Sequence, residues 1–156
     1  MKTLLIQVGK TTDKHIAALI DDYCARIGHY LSFDMVTIPE LKGTKSLSED
    51  QQKEREGELI VRQLTPSDTV ALLDEHGMTF TSVKFSKWLE RKRQTSRRLV
   101  FVIGGPYGFS AQVKNRANEM ISLSAMTFSH QMVRLIFVEQ LYRACTIIKG
   151  EPYHHE

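Results

Sequence analysis

The sequence predicts an α/β protein with a doubly wound, mostly parallel sheet, folded as a single domain over residues 1–156. Three observations carry this. Apolar runs of strand length alternate with segments of helical period along the whole chain. One such run, Leu99-Val100-Phe101-Val102-Ile103, stops abruptly at Gly104-Gly105-Pro106-Tyr107-Gly108, a strand-to-turn junction that in such sheets precedes a helix. No linker, internal repeat or low-complexity stretch divides the chain.

The elements follow in order. Lys2–Val8 is a buried strand. A helix over residues 13–29 follows, with Ile16, Leu19, Ile20, Tyr23 and Ile27 on one face of a 3.6-residue period. Residues 33–38 form a second strand, stopped by Pro39, and residues 40–48 are polar. Ser48-Glu49-Asp50-Gln51 has the form of a capping box, so a helix starts there and runs to about Leu64. Thr65-Pro66-Ser67-Asp68 breaks it. A third strand over residues 69–73 ends in a turn, Asp74-Glu75-His76-Gly77. A third helix starts near Ser82 with Phe85, Trp88 and Leu89 inward. The glycine-ended strand is followed by a helix over residues 110–119. A fifth strand draws on the alternating run 120–128, and a final helix spans about residues 131–148. That helix carries two apolar stripes: Val133, Ile136, Phe137, Leu141, Ala144 and Ile148, and Leu135, Val138, Tyr142 and Cys145. Two stripes need two covering surfaces, either a partner subunit or a sandwiched place within one core.

Composition is that of a globular chain: 42% hydrophobic and 25% charged. No apolar run reaches the roughly 18–20 residues that span a bilayer. The first apolar run is too short for a signal peptide. Cys24 and Cys145 have no metal-ligand spacing and sit in apolar helical patterns, as buried thiols of a reducing compartment do. A cytoplasmic protein without a metal is expected. Net charge is only +3, but residues 84–98 hold seven Lys/Arg against one Glu, and Lys42 and Lys45 lie in a polar loop. Either is a solvated face or a phosphate contact.

The Gly104-Gly105 turn lacks the Gly-Lys-Ser/Thr of a nucleotide-phosphate loop and the full dinucleotide fingerprint. It is a tight turn or a place where a ligand nears the backbone. Leu123–Phe128, with Ser122 before it, suits a heterocycle bound through backbone groups, or an ordinary strand end. His76, His130, His154 and His155 show no metal spacing. No nucleophile elbow or Ser/His/Asp order points to a hydrolase.

Taken together, Ile103-Gly104-Gly105-Pro106-x-Gly108, Leu123-Ser124-Ala125-Met126-Thr127-Phe128-Ser129-His130, Val133-Arg134, Glu139-Gln140-Leu141-Tyr142-Arg143-Ala144 and Pro152-Tyr153-His154 are specific in order and spacing. They resemble the ribosomal RNA large subunit methyltransferase H family, small members of the SPOUT superfamily of S-adenosylmethionine-dependent RNA methyltransferases. The resemblance extends over essentially the whole chain, including Val8-Gly9-Lys10 and Leu73-Asp74, and is densest in the last third. It implies a deep C-terminal trefoil knot, which general threading rules disfavour. It also implies a homodimer packed partly through the last helix, with S-adenosylmethionine held by Leu73, Gly104, Gly105, Leu123, Ser124, Ala125, Met126, Thr127 and Phe128. The implied reaction is methylation of N3 of a pseudouridine in helix 69 of 23S rRNA on the assembled 70S ribosome. Carried onto this chain, it points to His154 as base or proton relay, Tyr153 as a positioning group, and Arg143 as a phosphate or carbonyl contact. His155 stands where the family commonly has Arg. A SPOUT enzyme acting on tRNA and a non-catalytic α/β binding module are the alternative readings.

Overall fold

The computed structural model describes residues 1–156. Five parallel strands form one sheet in the order β2-β1-β4-β3-β5. These are β1 (Lys2–Val8), β2 (Ser32–Ile38), β3 (Thr69–Thr79), β4 (Arg98–Ile103) and β5 (Glu119–Ser122). The helices are α1 (Lys14–Ile27), α2 (Glu49–Arg62), α3 (Ser82–Thr95), α4 (Ala111–Arg116) and α5 (His130–Lys149).

Side chains alternate across a strand, and both faces of this sheet are covered. Leu5, Ala71, Leu99, Phe101 and Ile121 point to the face carrying α1, α3 and α5. Leu4, Ile6, Val70, Leu72, Val100 and Val102 point to the face carrying α2 and α4. The first core centres on aromatic rings: Phe101 meets Phe137 of α5 at 4.7 Å between centroids, and Phe85 stacks on Trp88 at 5.7 Å. Asp13, Ser48, Thr81, Ser110 and Ser129 each cap the helix that follows, and Ser48 with Gln51 completes the reciprocal capping box.

Three boundaries differ from the sequence reading, each for a local reason. The expected turn at residues 74–77 is a bulge inside β3: Leu73 and Met78 both pair with Ile121, and the chain between them is extruded. Gly77 permits this, because a Cβ there would meet the Met120 carbonyl oxygen at 2.6 Å. α4 ends at Arg116 rather than near residue 119, because Asn118 pairs with the edge of β3, its amide donating to Val70 O and its Oδ1 accepting from Val70 N. β5 stops at Ser122, where Ser122 Oγ donates to Ser124 O and Ser124 Oγ accepts from Met126 N. Such side-chain bonds turn the chain out of the ladder. The expected strand residues up to 128 are therefore a loop.

Asp68 ties the break after α2 to the sheet. Its side chain is 1% exposed. It accepts from Arg98 Nε at 2.9 Å, Arg98 Nη2 at 2.6 Å and Thr65 N at 2.8 Å. Burial pushes its carboxyl up, but the Arg98 fork and Thr65 overcome this and hold it below the ordinary carboxylate range. A depressed carboxylate stabilises above its unfolded pKa and loses that contribution as pH falls through the folded value. Asp68→Ala is expected to lose about 2–4 kcal/mol in urea unfolding at neutral pH, since it strands Arg98. The gap to the unsubstituted protein should close on acidification through the carboxylate range.

Candidate functional site at the carboxyl ends of the strands

β3 leads to α3 on one face and its neighbour β4 leads to α4 on the other. Connections leaving adjacent strands in opposite directions open a crevice at their carboxyl ends. A cavity of about 360 Å³ lies there, within the range of small-molecule sites. Three chain segments build it. Leu73 to His76 come from the bulge of β3, Ile103 to Phe109 from the end of β4, and Leu123 to Phe128 from the loop after β5. His130 and Val133 of α5 close the wall.

Leu73, Gly104, Gly105, Leu123, Ser124, Met126, Thr127 and Phe128 thus line one cavity; Ala125 does not. The sequence reading took the two glycines as room for a ligand, but their missing Cβ positions face protein. At Gly104 a Cβ would press on the Phe109 ring at 3.0 Å, and at Gly105 it would run into the Glu56 carboxylate. Glu56 Oε1 accepts from Gly105 N at 2.9 Å. Burial raises the Glu56 pKa, and the Gly105 amide offsets part of that rise.

The bulge contributes groups the sequence reading left unassigned. Asp74 Oδ1 accepts from His76 N at 2.8 Å and lies 2.8 Å from His76 Nδ1. Thr127 Oγ1 donates to Glu75 Oε2 at 2.9 Å, which joins the β5 loop to the bulge. Two carboxylates, and no Lys or Arg, therefore stand at the cavity, which suits a ligand that carries positive charge. Their position at a strand end, Leu73-Asp74-Glu75, was the available signal; reading them as a turn hid it. No cluster of His, Cys, Asp or Glu is arranged to hold a metal.

Arg134 was quoted in the sequence motif without a role. It is 2% exposed, and it donates to Val8 O at 2.7 Å and Thr11 Oγ1 at 2.9 Å. Burial lowers its pKa, with Glu40 offsetting part of the effect. Gln131 Oε1 accepts from Thr12 N at 2.7 Å. Together they clamp the start of α5 to the loop after β1, so the His130 and Val133 wall is fixed from behind.

The tail forms a second cluster. Arg143 donates to Glu139 Oε1 through Nε at 3.1 Å and Nη2 at 2.6 Å, and its Nη1 lies 3.1 Å from His154 Nδ1. Tyr153 Oη donates to the same Glu139 oxygen at 3.0 Å, and its ring lies edge-on to Tyr142 at 4.8 Å. Burial, together with the Tyr23 hydroxyl and Glu139, drives the Tyr153 pKa far above the ordinary phenol value. The tail is thus docked. His154, Tyr153 and Arg143 come together, but not at the cavity. An α-helix rises about 1.5 Å per residue, which puts Arg143 about 20 Å along α5 from His130. Within one chain the two sets of site residues occupy opposite ends of one helix.

Of the two alternatives for the apolar stripes of α5, the sandwiched place in one core holds for their central residues. Phe137, Val138, Leu141, Ala144 and Cys145 are buried inside the chain, against the sheet, α1 and α3. A different row remains outward: Met132, Leu135, Ile136, Glu139, Gln140 and Arg143, all incompletely buried at helical spacing. No helix of the chain is long and apolar enough to cross a membrane.

Comparison with known proteins agrees with this architecture. Residues 1–154 match the family described as "Predicted SPOUT methyltransferase". Ribosomal RNA large subunit methyltransferase H of Phocaeicola vulgatus is 61% identical over 157 residues, with the whole of both chains covered. The proteins of the same name from Bacteroides fragilis and Bacteroides thetaiotaomicron are each 60% identical over the same length and coverage. A match of this extent, on a five-stranded parallel sheet with its cavity at the strand ends, means that the chain belongs to the SPOUT methyltransferase family.

Proposed function

We propose that this protein transfers a methyl group from S-adenosylmethionine to large-subunit ribosomal RNA, at N3 of a pseudouridine in helix 69 of the 70S ribosome. The observation that carries the reading is the three-loop cavity at the β3, β4 and β5 ends, in a chain matched over its whole length by relatives named as large-subunit rRNA methyltransferases. The reaction takes place where ribosomes are, in the cytoplasm. The reading includes a knotted C-terminal path, as the family resemblance implies.

The residues present fit the cofactor. Leu73, Leu123, Met126 and Phe128 supply apolar walls, Gly104 supplies a backbone carbonyl, Ser124 and Thr127 supply hydroxyl groups, Gly105 lines the turn, and Ala125 follows the same loop. Asp74 and Glu75 complement a cationic ligand. Bound there, S-adenosylmethionine supplies a methyl group already activated on a sulfonium. The protein's share is alignment, exclusion of water and management of the imide proton.

The tail supplies the proton chemistry. Arg143 is always a donor, so His154 Nδ1 accepts from it, and the ring carries its proton on Nε2. In that state the buried Nε2–H has no hydrogen-bond partner within the chain. The Nδ1 lone pair becomes free to take the N3 proton once Arg143 turns to a phosphate or carbonyl oxygen of the RNA. Tyr153, fixed by Glu139, offers a ring against which a base stacks.

Cavity and tail must meet for this to work, and a homodimer brings them together. Two copies of α5 packed antiparallel through the Met132, Leu135 and Ile136 row place the tail of one protomer beside the cavity of the other. The exposed Met126 and Met132 lie on that path.

Four outcomes are expected. Deleting residues 153–156 leaves S-adenosylmethionine affinity in calorimetry within about twofold, yet removes most single-turnover methyl transfer to 70S ribosomes; wild-type transfer by the truncated protein, or equal transfer to tRNA, would overturn the assignment. Leu135→Glu with Ile136→Glu yields a folded monomer in sedimentation velocity that binds cofactor but transfers at least tenfold more slowly. Phe137→Asp, by contrast, unfolds the chain, because that ring is packed on Phe101. In ¹⁵N NMR of the free protein, His154 shows a protonated Nε2 and a bare Nδ1, and Arg143→Ala abolishes that preference.

A further inference from the structure

Helix α2 lies outside the cavity but reaches its glycine turn through one side chain. Glu56 Oε1 accepts from Gly105 N at 2.9 Å, across 49 residues of sequence. The next residue, Gly57, lets α2 sit against the start of α4: a Cβ there would collide with Ser110 Oγ and meet Val113 Cγ2 at 3.2 Å. Ser110 caps α4, so α2 grips the segment after β4 at two points, the Gly105 amide and the Ser110 cap. Between them lies the turn Pro106-Tyr107-Gly108, closed by Gly108 N donating to Gly105 O at 3.2 Å.

The peptide between Gly104 and Gly105 is planar and trans, so its N–H and C=O point in opposite directions. With the Gly105 N–H held toward α2, the Gly104 carbonyl is turned away from α2. No other group in the chain bonds the Gly105 amide. Without Glu56 the Gly105 amide would have no partner in the chain, and glycine on both sides permits the peptide to flip. A flip would exchange the acceptor presented at the turn for a donor.

We propose that Glu56 is a positioning residue for the cofactor: held on α2, it fixes the orientation of the Gly104–Gly105 peptide that lines the cavity. The inference rests on the cavity being the S-adenosylmethionine site, and it adds a residue outside that site. It also explains why position 105 is glycine, since a Cβ there would occupy the space of the Glu56 carboxylate, with Oε1 at 2.7 Å. The obstacle is the tip of a flexible side chain, so shortening Glu56 should make room for it.

This gives a double-mutant test with purified full-length protein, using S-adenosylmethionine in calorimetry and amide hydrogen exchange without ligand. Glu56→Ala is expected to weaken binding about tenfold, the loss of one charge-assisted hydrogen bond. It should also speed exchange at the Gly105 amide in the ligand-free protein. Glu56→Gln, which keeps an acceptor oxygen, should stay within about threefold of wild type. Gly105→Ala should weaken binding in the wild-type background and add nothing in the Glu56→Ala background. Circular dichroism confirms that each variant is folded; should Glu56→Ala fail to fold, Glu56→Gln and Gly105→Ala are compared in its place. Wild-type affinity in folded Glu56→Ala, unchanged Gly105 exchange, or equal damage by Gly105→Ala in both backgrounds would overturn the proposal while leaving the cofactor site standing. Absence of binding by the wild-type protein would overturn the cofactor reading, and this inference with it.

Discussion

The seating of Phe137 on Phe101 sets where everything else in this protein lies. α5 crosses the sheet with that ring against the central strand β4, and the aromatic group of Phe85 and Trp88 packs around the same point. Burying such a ring is worth about 2–3 kcal/mol, and nearby contacts add to it. The position leaves α5 no freedom to slide. Its first turn is therefore held at the carboxyl edge of the sheet and its last turn far from it. The buried Arg134 reinforces the first turn by bonding Val8 O. A site that uses both ends of such a helix needs a second copy of the chain, which is why the dimer and the chemistry are one proposal.

The cavity follows from topology and from one irregularity. Opposite exits from β3 and β4 open the crevice in any sheet of this kind. Here β3 runs on past its cavity residue, buckles between Leu73 and Met78, and rejoins β5. The buckle delivers Asp74, Glu75 and His76 to the rim without ending the strand. A regular strand would have pointed alternate residues into the two cores and left the crevice without carboxylates.

The two polar clusters differ in how they are held. At the cavity, most polar groups are fixed through backbone, by the Asp74 turn, the Ser122 and Ser124 bonds and the Gly105 amide on Glu56, with one side-chain bond from Thr127 to Glu75. At the tail they are fixed by side chains, with Glu139 receiving both Arg143 and Tyr153. Backbone-held loops keep a small-molecule shape. A network of side chains around one carboxylate can be re-partnered by an incoming phosphate or base. The division suits the proposed roles, a rigid cofactor cavity and an adaptable RNA-facing tail.

Local patterning by itself determined the fold class, the alternation of five strands and five helices, the Ser48 capping box and the inward face of α3; on α1 it placed Ile16, Ile20, Tyr23 and Ile27 correctly but also Leu19, which is 46% exposed. These depend on periodicity and capping, which are written into neighbouring residues. The motifs of the last third also named most of the cavity lining, because loops that meet at strand ends are contiguous pieces of sequence. Tertiary structure alone decided the rest. The bulge at residues 74–77 reads locally as a turn, and only the pairing of Met78 with Ile121 makes it part of a strand. The glycines at 104 and 105 read as ligand space, yet their neighbours are Phe109 and a carboxylate from α2. Sequence period gives α5 two apolar faces and leaves open whether a partner or the chain's own core covers each; packing makes Phe137 and Val138 core. The helix length between His130 and Arg143 follows from the period of α5 itself, but the docking of Tyr153 and His154 onto Glu139, Tyr142 and Arg143 is a tertiary contact that no local pattern encodes.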